Sequence, residues 1–341
     1  MSKFTGVFIT VIRKRGDLMK RSLNFKPFNT FWLNCVYNML FSMLISLEPS
    51  YYSAALLNDY SYLVIDQGTP TGTKYNHLEL WPIVKHFERY RSMLFGDYEP
   101  LNFESGDNYF DILKGLIEEK KLILLGVDLF YWIPYSVTWN RHHWIHYSFI
   151  NGIDDEKRVV YAFDENVSGY NEFEIPEDRL IKAISNFPQE PHVMSYKPSG
   201  NIEKFELSID EVKGNAQRII DEINNNILPV YFWGLREADI VEGHMRDLIS
   251  LRLFQIKNRH IANQLLMQEL GDVILSPQIR SSLINYCKEL QKGWDIIKNN
   301  FVRLYLSKYE ESVISNVNEK AKSLFSKEIE MWDMFLKYAG E

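Results

Sequence analysis

The chain has 341 residues, 46% of them apolar, with 21 Phe, 20 Tyr and 8 Trp, enough to fill a sizeable aromatic core and to exclude a disordered or fibrous protein. A formal charge of −7 at pH 7 speaks against a general binder of nucleic acid or anionic membrane, which needs an excess of Lys and Arg. Two distant cysteines, Cys35 and Cys287, exclude a disulfide framework and a Cys-rich zinc site and suit a reducing cytoplasm.

Residues 1–26 carry seven basic side chains against the single acid Asp17, and the run Val7 to Ile12 predicts a short strand. That run lacks the small-residue cleavage site of a signal peptide, and no stretch approaches the roughly 20 uninterrupted apolar residues of a membrane span. A soluble cytoplasmic protein is expected. From Asn34 to Leu47, Val36, Met39, Leu40, Met43, Leu44 and Leu47 recur at helical spacing, with Asn34 as N-cap and Pro49 as stop. A second helix is expected over about 109–120. Strands rich in Val, Ile, Tyr and Phe follow at Leu122–Val127, Ile145–Asn151 and Val159–Phe163, the last two joined as a hairpin by the turn Gly152-Ile-Asp-Asp-Glu156. Pro188, Pro191, Pro198 and Gly200 mark a boundary. Beyond it the capping-box spacing Ser208-x-x-Glu211 opens a helical run to about Ile227, and helical periodicity covers 237–270, 276–306 and 309–338. The fold class expected is α+β: a domain over 1–200 built on an antiparallel sheet, followed by an all-α region over 201–341.

The chemistry is expected around Cys35. In the first turn of a helix, unpaired backbone N–H groups and the helix dipole favour a thiolate, which lowers a cysteine pKa. His146 opens one strand of the predicted hairpin and Asp164 closes the next. In antiparallel pairing the start of one strand neighbours the end of its successor, so the two side chains are expected to meet. A carboxylate there holds the imidazole in one tautomer and frees its other nitrogen to face a thiol.

Cysteine at a helix start, histidine on a strand, a Gly with an acidic turn and a closing aspartate resemble the papain-like cysteine peptidase superfamily, particularly its C39-like branch. The run Val127-Asp-Leu-Phe-Tyr-Trp-Ile-Pro-Tyr135, ahead of His142-His-Trp-Ile-His146 and Gly152-Ile-Asp154, resembles the N-terminal domain of the butirosin biosynthesis protein H (BtrH-like) family. The likeness covers about residues 30–170. It implies a papain-like fold and an acyltransferase that moves an acyl group from the phosphopantetheine thioester of an acyl carrier protein to a small-molecule amine in antibiotic or other secondary-metabolite biosynthesis. Cys35 would be the acyl-accepting nucleophile, His146 its base and Asp164 the orienter, with no cofactor bound to the protein itself. Papain-like enzymes often place an oxyanion-hole Gln about where Asn29 stands, so Asn29 and Asn34 are candidate oxyanion donors, Asn34 equally a plain cap.

Other residues carry two readings each. Asp128, Tyr131 and His143 are candidate substrate-binding groups; Asp128 is equally a plain strand-end acid, and His142 and His143 ordinary surface histidines. His143-x-x-His146 lacks a third convergent ligand, so no metal is expected. Phe130, Tyr131, Trp132, Tyr135, Trp139 and Trp144 line a channel or fill a core. Cys287, within a helical run and without a neighbouring histidine, reads as structural. An acidic carrier needs positive charge on its partner, and Arg252 to Lys308, with nine basic residues and four acids, joins the amino-terminal arm as a candidate docking face. The rival functions are a C39-like cysteine peptidase or amide hydrolase using the same triad, and a catalytically silent binding or scaffold protein.

Overall fold

A computed structural model describes residues 20–339 apart from 69–71, 73, 105, 167, 201, 235–242 and 307–310. The expected strand Val7–Ile12, most of the basic amino-terminal arm and the start of the helix expected from 237 lie outside the described residues. The chain is α+β and forms two compact units, Met1–Tyr51 with His86–Lys204, and Tyr52–Lys85 with Phe205–Glu341. The second unit therefore takes residues 52–85 from the amino-terminal half, where a single division at 200 was expected.

In the first unit, β1 (Lys20–Ser22) precedes α1 (Cys35–Leu47), which leads toward α2 (Tyr51–Leu56) at the edge of the second unit. In the second unit, β2 (Tyr60–Gly68) and β3 (Lys74–Pro82) form an antiparallel hairpin in register from Tyr60 opposite Pro82 to Gly68 opposite Lys74. The described elements beyond residue 201 are helical, as expected, and share their unit with this hairpin. Tyr60, Tyr62, Leu78 and Leu80 are buried while Leu63 and Ile65 are exposed, the alternation that a one-sided hairpin needs.

The first unit continues with α3 (Phe87–Leu94), β4 (Phe95–Leu101), α4 (Tyr109–Glu118), β5 (Leu122–Asp128), β6 (Ile145–Asp154), β7 (Val159–Asn166), β8 (Gly169–Pro176), α5 (Glu177–Ser185) and β9 (Val193–Pro198). Its seven-stranded sheet runs β4-β9-β5-β6-β7-β8, with β1 beside β6, and every pairing is antiparallel. The predicted helices at 35–47 and 109–118 and the three central strands are present, the strands each running further than expected. β5 is nearly continuous in apolar residues because it lies inside the sheet, and Gly126 in it is required by close packing: a Cβ there would stand 2.4 Å from the buried Phe187 ring. Gly152 does not make the β6–β7 turn. It sits in β6 beside a register shift after Ile150, and the turn is organised instead by the Asp154 carboxylate, which accepts the N–H groups of Glu156 and Lys157 at 3.0 Å each.

The second unit continues through α6 (Ile209–Glu222), a π-helical turn (Ile223–Ile227), α7 (Gly243–Glu269), the short α8 (Gly271–Ile274), α9 (Pro277–Leu306) and α10 (Glu311–Tyr338). Ser208 Oγ accepts the Glu211 N–H, the cap its spacing predicts. In its interior Tyr60 and Tyr62 donate to the two oxygens of the buried Glu328 at 2.5 and 2.7 Å. Among the described residues no helix is long and apolar enough to cross a membrane.

Candidate active site

The loop 28–34 ahead of Cys35 is fixed from within α1. Buried Asn38 donates to the carbonyls of Phe28 and Phe31 at 2.9 Å each and accepts the Leu33 N–H at 2.8 Å. Ser42, one turn on, accepts the Phe28 N–H at 2.7 Å and donates to the Asn38 carbonyl. These bonds satisfy loop groups that burial would otherwise leave unpaired, so Cys35 stands on a rigid helix start. Asn34 is the cap itself: its Oδ1 accepts the Tyr37 N–H at 2.8 Å. Its side-chain oxygen is used there, which leaves its amide N–H groups, and the Asn29 amide donates one N–H to Asn171 Oδ1 at 3.2 Å. The backbone N–H groups at the start of α1 are the donors nearest the thiol.

His146 on β6 lies opposite Val127 of β5, and its Nε2 stands 3.8 Å from Asp164 Oδ1 on β7. This is ion-pair range and too long for a hydrogen bond. Asp164 is buried and held in place by the Ser148 hydroxyl, which donates to Oδ2, and by the Glu165 N–H, which donates to Oδ1 at 2.8 Å. Ser148 follows His146 by two residues and so shares its face of β6, a signal the alternation of a strand makes available in sequence.

The expected low thiol pKa is reversed. Burial pushes Cys35 up to about 12, and the negative charges of Glu165 and Asp164 add to it, while the backbone N–H groups of Val36 and Cys35 oppose the shift. The helix-start effect is present, but desolvation of a thiolate in an apolar, acid-lined setting exceeds it. Among the described residues no hydrogen bond joins Cys35 to His146.

Glu165 is a site residue that sequence reading missed. Burial pushes its carboxyl up to about 7, the Asp164 charge adds, and the Trp32 indole N–H donating to Oε2 works in the opposite direction. Tyr170, opposite Glu165 in the β7–β8 register, is raised well above its ordinary value by burial and by the charges of Asp164, Cys35 and Glu165. Two carboxyls, a half-buried thiol and a phenol are therefore close enough for their charges to act on one another. No local pattern announces Glu165, since its burial depends on Trp32, more than a hundred residues away in the chain.

Asp128 ends β5 and is buried, not an exposed strand-end acid. Its Oδ2 binds His143 Nδ1 at 2.6 Å, and its Oδ1 accepts the N–H groups of Phe130 and Trp144 at 3.0 and 3.3 Å. His143 stacks on Phe130 with centroids 4.4 Å apart and 9° between planes, and Tyr131 stands 5.9 Å away. The aromatic segment divides: Trp132 is core, whereas Tyr135 and Trp144 are 68% and 55% exposed. Pro134 accepts a bond from Asn166 Nδ2 at 3.2 Å, which holds this loop against the end of β7.

In the second unit, Cys287 is fully buried with its thiol 3.4 Å from Met331 Sδ, the structural role its sequence context suggested. The basic segment around it offers less free charge than its composition: Arg259 is buried, Arg252 pairs with Glu79 at 2.7 Å, and Lys257 and Lys298 share Asp295. No protein-family model matches the chain, and no curated protein matches it.

Proposed function

We propose that the first unit is a papain-like domain of the BtrH-like type, and that the protein transfers acyl groups from a carrier-protein phosphopantetheine thioester to a small amine through a Cys35 acyl-enzyme. The observation that carries this reading is the meeting of His146 and Asp164 across adjacent strands, with the Asp164 charge felt by a thiol at a helix start. Asp164 orients the imidazole through Nε2, which leaves Nδ1 for the thiol. As a thioester enters, His146 takes the Cys35 proton while sulfur attacks the carbonyl and the carrier thiol departs protonated; the acceptor nitrogen then attacks the acyl-enzyme. Exchange of one thioester for another is nearly isoenergetic, so the protein's main work is alignment and exclusion of water. The acidic surroundings of Cys35 protect the resting thiol, and its ionisation is reserved for the loaded site.

A second reading, a silent binding protein on the same fold, draws on the raised thiol pKa and the missing Cys35–His146 bond. One experiment separates them. Wild type and Cys35→Ala are incubated with short-chain acyl-carrier thioesters and weighed by intact-mass spectrometry. An acyl adduct on wild type alone supports transfer; no adduct across the series sinks it, and cleavage of peptides without thioester reactivity assigns a peptidase.

A further inference from the structure

The segment between β5 and β6, residues 129–144, is a loop whose two ends are fastened together. The Leu129 N–H donates to the Trp144 carbonyl at 2.9 Å, and one oxygen of the buried Asp128 carboxylate accepts the N–H groups of both Phe130 and Trp144. Trp132 and Ile133 are fully buried and anchor the loop, while the Thr138 carbonyl accepts the Arg141 and His142 N–H groups at 3.0 Å each and folds the far half into a turn. A compact surface loop with joined ends is preformed, so a partner that binds it does not have to order it.

What this loop exposes is out of keeping with a surface that meets only water. Tyr135, Val137 and Trp144 are 68%, 59% and 55% exposed, and Tyr135 holds a φ of 63°, in the left-handed region that a bulky residue avoids. Burial of its own ring does not offset that strain. Arg141 in the same loop is exposed and, among the described residues, makes no ion pair. From 129 to 144 the chain has no Asp, Glu or Lys, in a protein of net charge −7. The loop therefore joins an apolar patch to an uncommitted positive charge, whereas Arg252, Lys257 and Lys298 of the basic carboxyl-terminal segment are already paired with acids.

Its attachments put the loop at the end of the sheet that carries the candidate site. Trp144 precedes His146 by two residues, and the Leu129–Trp144 bond continues the β5–β6 ladder, so Trp144 and His146 share a face. Asn166, two residues past Asp164 on β7, donates from Nδ2 to the Pro134 carbonyl, next to Tyr135 in the chain. Arg141 is five residues from His146, at most about 17 Å along an extended chain, a span that a long phosphopantetheine arm covers. Resting on the acyl-transfer reading above, we propose that loop 129–144 is the surface on which the acidic carrier protein docks, with apolar residues of the carrier against Tyr135, Val137 and Trp144 and its carboxylates facing Arg141. An apolar patch with one opposite charge orients a small acidic protein. It offers too little positive charge to hold an anionic membrane or a nucleic acid.

The test compares wild type, Val137→Asp and Arg141→Glu, both exposed positions outside the proposed triad. Each is charged either from the short-chain acylated acyl carrier protein of fatty-acid synthesis or from the matching acyl-N-acetylcysteamine thioester, which has no protein to dock, and mass gain at Cys35 is followed. Both variants should take the small thioester within about twofold of wild type, while kcat/KM for the loaded carrier falls about tenfold or more, chiefly through KM. A carrier in which an acid beside the modified serine is changed to Lys should restore Arg141→Glu. Equal rates for variants and wild type, or an equal loss with both thioesters, overturns the docking surface while leaving the acyl-enzyme intact. So does a wild type that is charged by the small thioester alone. Flotation of wild type but not Val137→Asp with phosphatidylglycerol vesicles assigns the loop to lipid and overturns it as well. Absence of any adduct on wild type from either donor overturns the acyl-transfer reading and this one with it. Should either variant not fold, Val137→Ser and Arg141→Ala are read by the same ratio between donors.

Discussion

His146 Nε2 and Asp164 Oδ1 stand 3.8 Å apart across β6 and β7, with Asp164 fixed by Ser148 and by the backbone of Glu165. The carboxylate is held by its neighbours and not by the histidine, so the imidazole can turn toward a proton donor without disturbing it. Asp164→Asn is expected to lower acyl-adduct formation about 10²- to 10⁴-fold with the fold retained, and His146→Ala to act comparably, as measured by the rate of mass gain at Cys35. Rates within threefold of wild type for both variants exclude the pair from the chemistry.

The resting thiol should be unreactive. With a pKa near 12, on the order of one Cys35 in ten thousand is ionised at pH 8, and iodoacetamide labelling of the Cys35 peptide should be slow and rise about tenfold per pH unit. Glu165→Gln removes a negative charge beside the sulfur, which favours the thiolate, so labelling above pH 7 should accelerate. Because the Glu165 carboxyl is pushed up to about 7, it is largely neutral at pH 6, and the variant should differ little from wild type there. Slower labelling of Glu165→Gln at pH 8 contradicts this electrostatic account.

Asn38 ties the nucleophile loop to its helix by three buried hydrogen bonds. Asn38→Ala leaves the Leu33 N–H and two carbonyls without those partners and should cost roughly 2–4 kcal/mol, read as a lower urea midpoint. A change below about 0.5 kcal/mol shows that water replaces the amide and that the loop is held otherwise.

Glu328 and His260 set opposed pH dependences in the second unit. Burial raises the Glu328 carboxyl from 4.5 to about 7, so the folded state holds a proton the unfolded chain has released, and this contribution, at most about 3 kcal/mol, is full below pH 4.5 and lost as pH rises through 7. Burial, and then the Arg259 charge, lowers His260 from 6.5 to about 3, so its contribution is full above pH 6.5 and lost on acidification. The two slopes offset between about pH 4.5 and 6.5. Glu328→Gln keeps an acceptor oxygen for one of Tyr60 and Tyr62 and removes one slope: its urea midpoint should no longer decline from pH 6 to 8 and should fall more steeply than wild type from pH 6 to 5. Parallel profiles for variant and wild type rule this out.

Much of the framework was legible in the sequence because it is local. The Asn34 cap and the apolar stripe to Leu47 define α1, the Val, Ile and Phe runs define β5, β6 and β7, and Ser208 marks the start of α6; each depends on residues within one or two turns of one another. Antiparallel pairing of neighbours in sequence was enough to bring His146 to Asp164. The β2–β3 hairpin escaped notice and drew 52–85 into the second unit, since its burial depends on packing with segments beyond residue 205. Gly152 read as a turn residue and became part of a bulged strand, because Asp154 supplied the turn hydrogen bonds.

Sequence by itself determined where a thiol, an imidazole and a carboxylate sit on their elements, through helix capping and strand alternation. Only tertiary structure decided their electrostatics and company: the burial and acidic neighbours that raise Cys35, the Trp32 contact that recruits Glu165, and the buried Asp128 that holds the His143 ring. Desolvation and charge proximity depend on which distant segments close over a group, and no spacing along the chain encodes that.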